Sequence, residues 1–133
     1  VLVEADDMND PVADTVRSIL DGHIVLSRAL AARNHYPAID VMSSTSRLMS
    51  EIASPEHRKC AGLFRKYMAA YHEAEDLINI GAYHNGANPD VDRAIELRQE
   101  MLKFLVQTTE ESWGYGQTLE GLTALFSPEE RGF

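Results

Sequence analysis

The sequence predicts a mainly α-helical fold with one short β-strand at its N-terminus. Two long segments repeat apolar residues at helical spacing, and each begins with a polar residue followed by proline, a common helix start. The β-branched run Val1–Val3 is the clearest strand-like pattern. A chain of 133 residues, 44% of them hydrophobic, is also long enough to bury one core of its own.

The first twenty residues predict a strand, a loop and a helix. Val1–Val3 resembles the end of a buried parallel strand, and acidic residues follow it. A lone strand has no sheet to join, so we expect the chain to be a piece of a longer α/β protein. Asp10 and Pro11 predict a helix start with a capping carboxylate. Apolar residues then share one helical face, and Gly22 suits the helix stop.

The next segment predicts short elements joined by loops. Residues 23–26 form an apolar bridge that could be extended, and residues 27–33 a short helix. Residues 34–40 cannot continue that helix, because a proline at position 37 disfavours helical backbone before it. The hydroxyl cluster at residues 43–46 competes for backbone hydrogen bonds and predicts a loop that presents Arg47.

Two longer helices are predicted to form a hairpin. The first begins at Ser54-Pro55 and ends near Gly81, and the second begins at Asn88-Pro89. Their short connection favours antiparallel neighbours. The residues expected to face inward are Cys60, Leu63, Phe64, Tyr67, Met68, Tyr71, Ala74 and Ile78 on the first helix, and Val91, Ile95, Leu102 and Leu105 on the second. After an irregular turn at residues 112–116, residues 118–126 form a small closing helix.

The charge distribution narrows the classes of function. The formal net charge is -9, and it divides into -4 over residues 1–20, +3 over residues 21–66 and -8 over residues 67–133. An acidic total argues against a duplex-binding module, which needs a clustered Lys/Arg face. The basic middle could still meet a phosphate group locally.

Familiar catalytic and metal-binding motifs are not found in the sequence. It holds no glycine-rich phosphate loop, no dinucleotide-binding turn, and no His or Cys pair with zinc spacing. Cys60 lies on an apolar helical face and is expected in the core. The sequence therefore predicts no metal site.

A single cysteine fits a reducing compartment better than an oxidising one. No stretch reaches the apolar length of a membrane helix, and the first residues of the sequence do not have the basic, apolar pattern of an export leader. We therefore expect a cytoplasmic protein.

The stretch from Asp21 to Met49 closely resembles a known family. The segments D-G-H-I-V-L-S-R, H-Y-P-A-I-D and S-T-S-R-L-M occur in the order and near the spacing found in head subunits of rotary ATP synthases, and more closely in flagellar and type III protein-export ATPases. The match continues through I-N-I-G-A-Y at residues 78–83 and F-L-V-Q at residues 104–107. I-G-A-Y and the N-G-A-N-P-D that follows it resemble the flagellar branch.

The resemblance implies the C-terminal helical bundle domain of a RecA-like ATPase. Residues 1–20 would be the tail of the nucleotide-binding domain, and residues 21–133 the C-terminal domain. The phosphate loop and the catalytic glutamate would lie before Val1, so the chain alone is expected to be inactive.

Arg47, in S-T-S-R, falls on the family's arginine finger, which one subunit inserts into its neighbour's nucleotide site. A planar, permanently charged guanidinium suits the charge on a transferring phosphoryl group. The alternative is a surface or helix-capping arginine.

Tyr36, in H-Y-P-A-I-D, falls on the tyrosine that packs against adenine in the subunit's own site. Its alternative is a core tyrosine beside Pro37. Where synthase catalytic subunits carry an aromatic residue after F-L-x-Q, this chain has Thr108 and Thr109, which leaves the far wall of the pocket undefined.

Residues 6–11, D-D-M-N-D-P, resemble the loop that contacts the central coiled-coil stalk. The resemblance implies that Asp6, Asp7 and Asn9 bind the stalk, and that the hairpin of residues 55–107 transmits movement. The alternative is a solvated acidic turn.

The resemblance implies that the full-length protein hydrolyses ATP with Mg2+ to drive type III protein export, as a homohexameric ring at the cytoplasmic base of the flagellar export apparatus. Its partners would be identical subunits, the stalk protein, export chaperones and substrates, without nucleic acid or membrane insertion. Two alternatives stay open: a helical interaction module that binds a basic coiled coil or chaperone without nucleotide, and an ATP synthase head subunit.

Overall fold

The computed structural model describes residues 7–132, which form mostly helices and one small sheet. The mainly α-helical prediction is confirmed. The predicted strand Val1–Val3 lies outside the described residues. The elements in chain order are α1 Pro11–Ile19, β1 Gly22–Leu26, α2 Arg28–Ala32, β2 Ile39–Ser46, α3 Met49–Ile52, α4 Pro55–Asn79, α5 Pro89–Leu105, α6 Tyr115–Ala124 and α7 Pro128–Arg131.

The predicted hairpin is formed by α4 and α5, and α6 packs on α4. Both long helices start as the sequence predicts. The Ser54 hydroxyl accepts a hydrogen bond from the backbone N–H of His57 at 3.1 Å, and the Asn88 side chain accepts from the backbone N–H groups of Asp90 and Val91. Helix α4 ends just before Gly81, which has a left-handed φ of 72°.

The core lies among α4, α5 and α6, and it includes Phe126, which follows α6. Cys60 is completely buried, the rings of Phe64 and Phe104 are 5.7 Å apart, and those of Tyr67 and Phe126 are 6.1 Å apart. The predicted inward face of α4 is largely confirmed, whereas α5 is rotated relative to the prediction. Its buried residues are Val91, Ala94, Leu97 and Met101.

The prediction of a loop at residues 43–46 is wrong, because these residues end β2. Strands β1 and β2 pair antiparallel, with Gly22 opposite Ser46 and Leu26 opposite Ile39. Between the pairs Val25–Asp40 and His23–Thr45, residues 41–44 of β2 bulge out of the ladder. The Ser44 hydroxyl accepts from the backbone N–H of Val25 at 3.0 Å, so a side chain occupies a position where a strand backbone would bond.

Gly22 does not stop α1, as the sequence suggested, but begins β1. A Cβ atom at this position would lie 2.6 Å from the backbone oxygen of Thr45, so glycine is required for close strand approach. The apolar face predicted for α1 is largely exposed, with Val12 66% and Ile19 72% accessible, and Ala13 is buried. The closing helix begins three residues earlier than predicted, at Tyr115.

Two short helices were not predicted. Helix α3 follows Arg47 closely, and α7 forms a final turn that is tied to the hairpin by charged side chains. The Glu130 carboxylate binds Arg93 on α5 and the Tyr67 hydroxyl on α4, and Arg131 binds Glu56.

Over residues 7–132, no helix combines the length and apolar character needed to span a membrane.

Candidate functional site

Arg47 follows β2 directly and is exposed to solvent. Its backbone N–H donates to the backbone oxygen of Asp21 at 2.8 Å, which extends the pairing of the two strands by one residue. Its guanidinium donates to the backbone oxygens of Ser18 at 2.9 Å and Arg17 at 3.2 Å. Arg47 therefore caps the C-terminus of α1.

This contact is favourable but weak. The last carbonyl groups of a helix have no partner within the helix and carry partial negative charge, so a guanidinium is a suitable donor. The hydrogen bonds are exposed, and such bonds contribute only about 1 kcal/mol each. Within residues 7–132, the hydrogen-bond partners of the guanidinium are backbone oxygens and not carboxylates, so a phosphate group would be a stronger partner than its present ones.

Tyr36 lies at the start of the segment that leads into β2. Tyr36 is 50% exposed. It is therefore not the core tyrosine that the sequence left open as an alternative. Its backbone oxygen accepts a hydrogen bond from the backbone N–H of Gln107 at 2.9 Å. The H-Y-P-A-I-D and F-L-V-Q segments, far apart in sequence, thus meet here.

Arg47 and Tyr36 lie at opposite ends of the two-stranded sheet, one after β2 and the other before it. The paired length from Gly22 to Leu26 is five residues, or roughly 13 Å at the usual strand rise. The structure does not bring the two side chains together. An arrangement of this kind suits two residues that contact different binding sites.

The acidic loop before α1 forms a compact turn. The Asp7 carboxylate accepts from the backbone N–H of Asn9 at 2.9 Å, and both residues are exposed. Asp6 lies outside the described residues. Asp10 occupies the helix-capping position but makes no side-chain capping bond, contrary to prediction; its backbone oxygen accepts from Asp14 N–H. The Arg17 guanidinium binds the backbone oxygen of Met8 and thereby fixes this loop on α1.

Other candidate groups are the acidic side chains, the histidines and Cys60. Within residues 7–132, no three His, Cys, Asp or Glu side chains lie close enough to hold a metal ion. Burial is the main cause that raises the pKa of the Cys60 thiol, which disfavours the reactive thiolate. His72 pairs with Glu75 on an exposed part of α4 at 3.5 Å.

Sequence reasoning missed the residues that shape β2 before Arg47. The Asp40 carboxylate accepts from the backbone N–H groups of Met42 and Ser43, both at 3.1 Å. Arg65, on α4, donates to backbone oxygens of the bulge. The D-x-x-S spacing of Asp40 and Ser43 is a recognisable turn signal, but no sequence pattern indicates that Arg65 reaches this strand.

Two family models match the chain. The T3SS EscN ATPase C-terminal domain matches residues 53–124, and the nucleotide-binding domain of the ATP synthase alpha/beta family matches residues 1–46. The first match covers the hairpin and α6. The second ends at the last residue of β2, just before Arg47. The division between residues 20 and 21 stays a prediction.

Similar proteins come from both flagellar and secretion systems. The chain is 48% identical to the flagellum-specific ATP synthase of Bacillus subtilis over 98% of its own length, and 51% identical to the SPI-2 type 3 secretion system ATPase of Salmonella typhimurium over 92%. It spans 30% and 28% of those relatives. These identities do not separate the two branches.

Solved structures share the fold. The assembled ATPase EscN from the enteropathogenic Escherichia coli type III secretion system matches with a TM-score of 0.89 and 46% identity, covering 94% of this chain and 30% of EscN. EscN in complex with its central stalk EscO matches with a TM-score of 0.81 and 44% identity, over 86% of this chain and 28% of that one. The chain therefore belongs to the family of the T3SS EscN ATPase C-terminal domain.

Proposed function

We propose that the chain is the C-terminal domain of a flagellar-type protein-export ATPase, and that it supplies Arg47 to the nucleotide site of a neighbouring subunit. The observation that carries the proposal is an exposed guanidinium at the end of the sheet, in a chain with EscN-type architecture. The full-length enzyme would hydrolyse ATP with Mg2+. No metal-binding cluster lies within residues 7–132, so we assign the ion to a nucleotide site outside this part of the chain.

The proposed role of Arg47 follows from charge. ATP supplies a phosphoryl group whose oxygens carry the charge that develops during transfer. A guanidinium keeps its charge at any physiological pH and can donate two parallel hydrogen bonds. Arg47 would leave the carbonyl oxygens of α1 and bind the phosphoryl oxygens of ATP across the subunit boundary. Lysine lacks the planar fork, so it would not replace arginine fully.

We propose that Tyr36 packs against adenine in the subunit's own nucleotide site. Tyr36 is half exposed and its ring is a flat, mostly apolar group, and the backbone hydrogen bond to Gln107 fixes the segment that carries it. Residues 108 and 109 are threonines, so these two positions supply no aromatic side chain to the opposite wall of this pocket. The distance between Tyr36 and Arg47 along the sheet supports their assignment to separate sites.

The proposed partners are identical subunits in a hexameric ring, a central coiled-coil stalk, and export chaperones with their substrates. EscN is described as assembled and as bound to its stalk EscO, which supports the first two. Asp7 and Asn9 are exposed in a loop that carries negative charge, so we propose that this loop, including Asp6, meets basic stalk residues. The enzyme would act in the cytoplasm, at the base of the flagellar export apparatus.

The test substitutes Arg47 in the full-length enzyme. We expect Arg47→Ala to lower kcat on the order of a thousand-fold in assembled rings, with Arg47→Lys between it and the wild type. ATP turnover is measured together with ring assembly by sedimentation. Near-normal turnover by assembled Arg47→Ala rings would refute the proposed role.

Two further measurements address the rest of the proposal. Tyr36→Ala is expected to raise KM for ATP and to change kcat less, because it removes a nucleotide contact and no charge. An unchanged KM would contradict the adenine contact.

The isolated 133-residue chain is expected to hydrolyse no ATP, and measurable turnover that copurifies with it would contradict this assignment.

A further inference from the structure

The bulge of β2 places three backbone oxygens toward one side chain. Arg65 Nη1 donates to the oxygens of Val41 at 3.0 Å and Ser44 at 3.3 Å, and Nη2 donates to the oxygen of Met42 at 3.2 Å. Carbonyl dipoles that converge repel one another unless a donor lies among them. The Arg65 guanidinium provides that donor from α4, a helix anchored in the core.

Hydrogen bonds within the sheet also hold the same bulge. The Ser44 hydroxyl donates to the backbone oxygen of Asp40 at 2.6 Å and accepts from Val25, while the Asp40 carboxylate holds the first turn. These bonds join the two ends of the bulge within the sheet. Arg65 alone among these groups connects the bulge to the helical core.

The bulge determines the register in which β2 resumes pairing. Asp40 lies opposite Val25 and Thr45 lies opposite His23, so four residues of β2 are accommodated between these pairs. Side chains alternate between the two faces of a strand, and a slip of one residue would therefore reverse the face of every residue after the bulge. Arg47 lies two positions beyond Thr45, at the end of this realigned segment.

We propose that Arg65 is a positioning residue for Arg47: its hydrogen bonds to the bulge fix the register of β2 and hence the side from which Arg47 leaves the sheet. This inference rests on the proposed function of Arg47. Arg65 itself contacts no nucleotide in this proposal and acts through the geometry of the strand.

The experiment uses the full-length ATPase with Arg65→Met, which keeps an apolar stem but removes the guanidinium. We expect kcat to fall about ten- to hundred-fold, since misplacement of a catalytic group by about 1 Å has effects of this size. KM for ATP should stay within about two-fold, because the groups that bind ATP are unchanged. Arg65→Lys should recover part of kcat, because an ammonium group retains donors but not the planar fork.

A double variant separates positioning from general destabilisation. Arg65→Met is combined with Arg47→Ala and assayed with excess enzyme, so that slow turnover is measured. If Arg65 acts through Arg47, the double variant has the same kcat as Arg47→Ala alone. A folding defect would instead multiply the loss, and that result would overturn the proposal.

Arg131→Ala is the matched control. It removes an arginine that also bonds near α4, through Glu56, but it leaves the bulge intact. We expect this variant to lower thermal stability and leave kcat per assembled ring unchanged.

If Arg47→Ala is impaired while Arg65→Met keeps a normal kcat, the positioning role is wrong and the role of Arg47 stands. If Arg47→Ala itself is normal, the proposed function fails first.

Discussion

Glu130 binds α7 to the helical bundle, and its substitution by glutamine measures how much this carboxylate contributes to stability. The carboxylate accepts from Arg93 Nε at 2.8 Å and Nη2 at 2.9 Å, from the backbone N–H of Ser127 at 2.9 Å and from the Tyr67 hydroxyl at 3.2 Å. Its side chain is 20% exposed. Glutamine has nearly the same shape but no charge, so Glu130→Gln isolates the charge-assisted part of these bonds.

The size of the effect follows from the pKa of Glu130. The hydrogen bonds from Arg93 lower this pKa from 4.5 to about 2. A difference of this size between the unfolded and the folded chain corresponds to about 3 kcal/mol. The Arg93 side chain is 33% exposed, and solvent screening reduces the interaction. We therefore expect Glu130→Gln to lower the free energy of unfolding by about 2 kcal/mol, or Tm by roughly 6–10 °C.

The effect should depend on pH in a defined direction. Because the folded pKa lies below the unfolded one, the stabilisation is complete above pH 4.5 and is lost as pH falls toward 2. The stability difference between wild type and Glu130→Gln should thus be constant from pH 6 to 8. It should fall to less than half of its neutral value near pH 3.

Urea unfolding of the 133-residue chain, followed by circular dichroism at several pH values, measures this difference. Glu96→Gln is the matched control, since Glu96 also pairs with Arg93, at 3.1 Å, but its side chain is 68% exposed. We expect this control to cost less than about 0.5 kcal/mol. Equal effects of the two substitutions, or a Glu130→Gln effect that does not change between pH 7 and pH 3, would refute the reasoning.

Three other substitutions or measurements probe the sheet and the core. Gly22→Ala should destabilise the chain by about 1–3 kcal/mol in urea unfolding because its Cβ would meet the Thr45 oxygen, whereas Gly62→Ala on α4, with nothing within 4 Å, should be neutral or stabilising; the opposite order would contradict the strand geometry. Met101→Ala should cost about 2–4 kcal/mol by the same assay, since Met101 is 2% exposed, and a loss below 1 kcal/mol would disprove its core packing. Cys60 should react with a thiol reagent at pH 8 only when the chain unfolds, because it is completely buried and its pKa is raised, and rapid labelling of the folded chain would contradict this.

The helical hairpin could be predicted closely because its signals are local. Ser54-Pro55 and Asn88-Pro89 satisfy the first N–H groups of α4 and α5 through side chains only two or three residues away. The inward face of α5 was less predictable. It depends on which residues α4 presents, and the structure places the small Ala94 in the core between the helices.

The small sheet was missed because its stabilising contacts are distant in sequence. Residues 43–46 carry hydroxyl side chains that are typical of loops, yet Ser44 bonds to Val25, nineteen positions away, and Arg65 bonds to the bulge from α4. Gly22 fits a helix stop by its identity alone. Its actual role depends on the Thr45 oxygen, which no local pattern reveals.

The sequence by itself determined the helix starts, the hairpin and, through the H-Y-P-A-I-D and S-T-S-R-L-M segments, the family, because these depend on residues close together along the chain. Only the tertiary structure decided that Tyr36 and Arg47 lie at opposite ends of one sheet, and that Arg47 caps α1. The physical reason is that strand register and guanidinium partners depend on backbone oxygens brought together by folding, and every residue carries such an oxygen, so the sequence does not distinguish which ones are used.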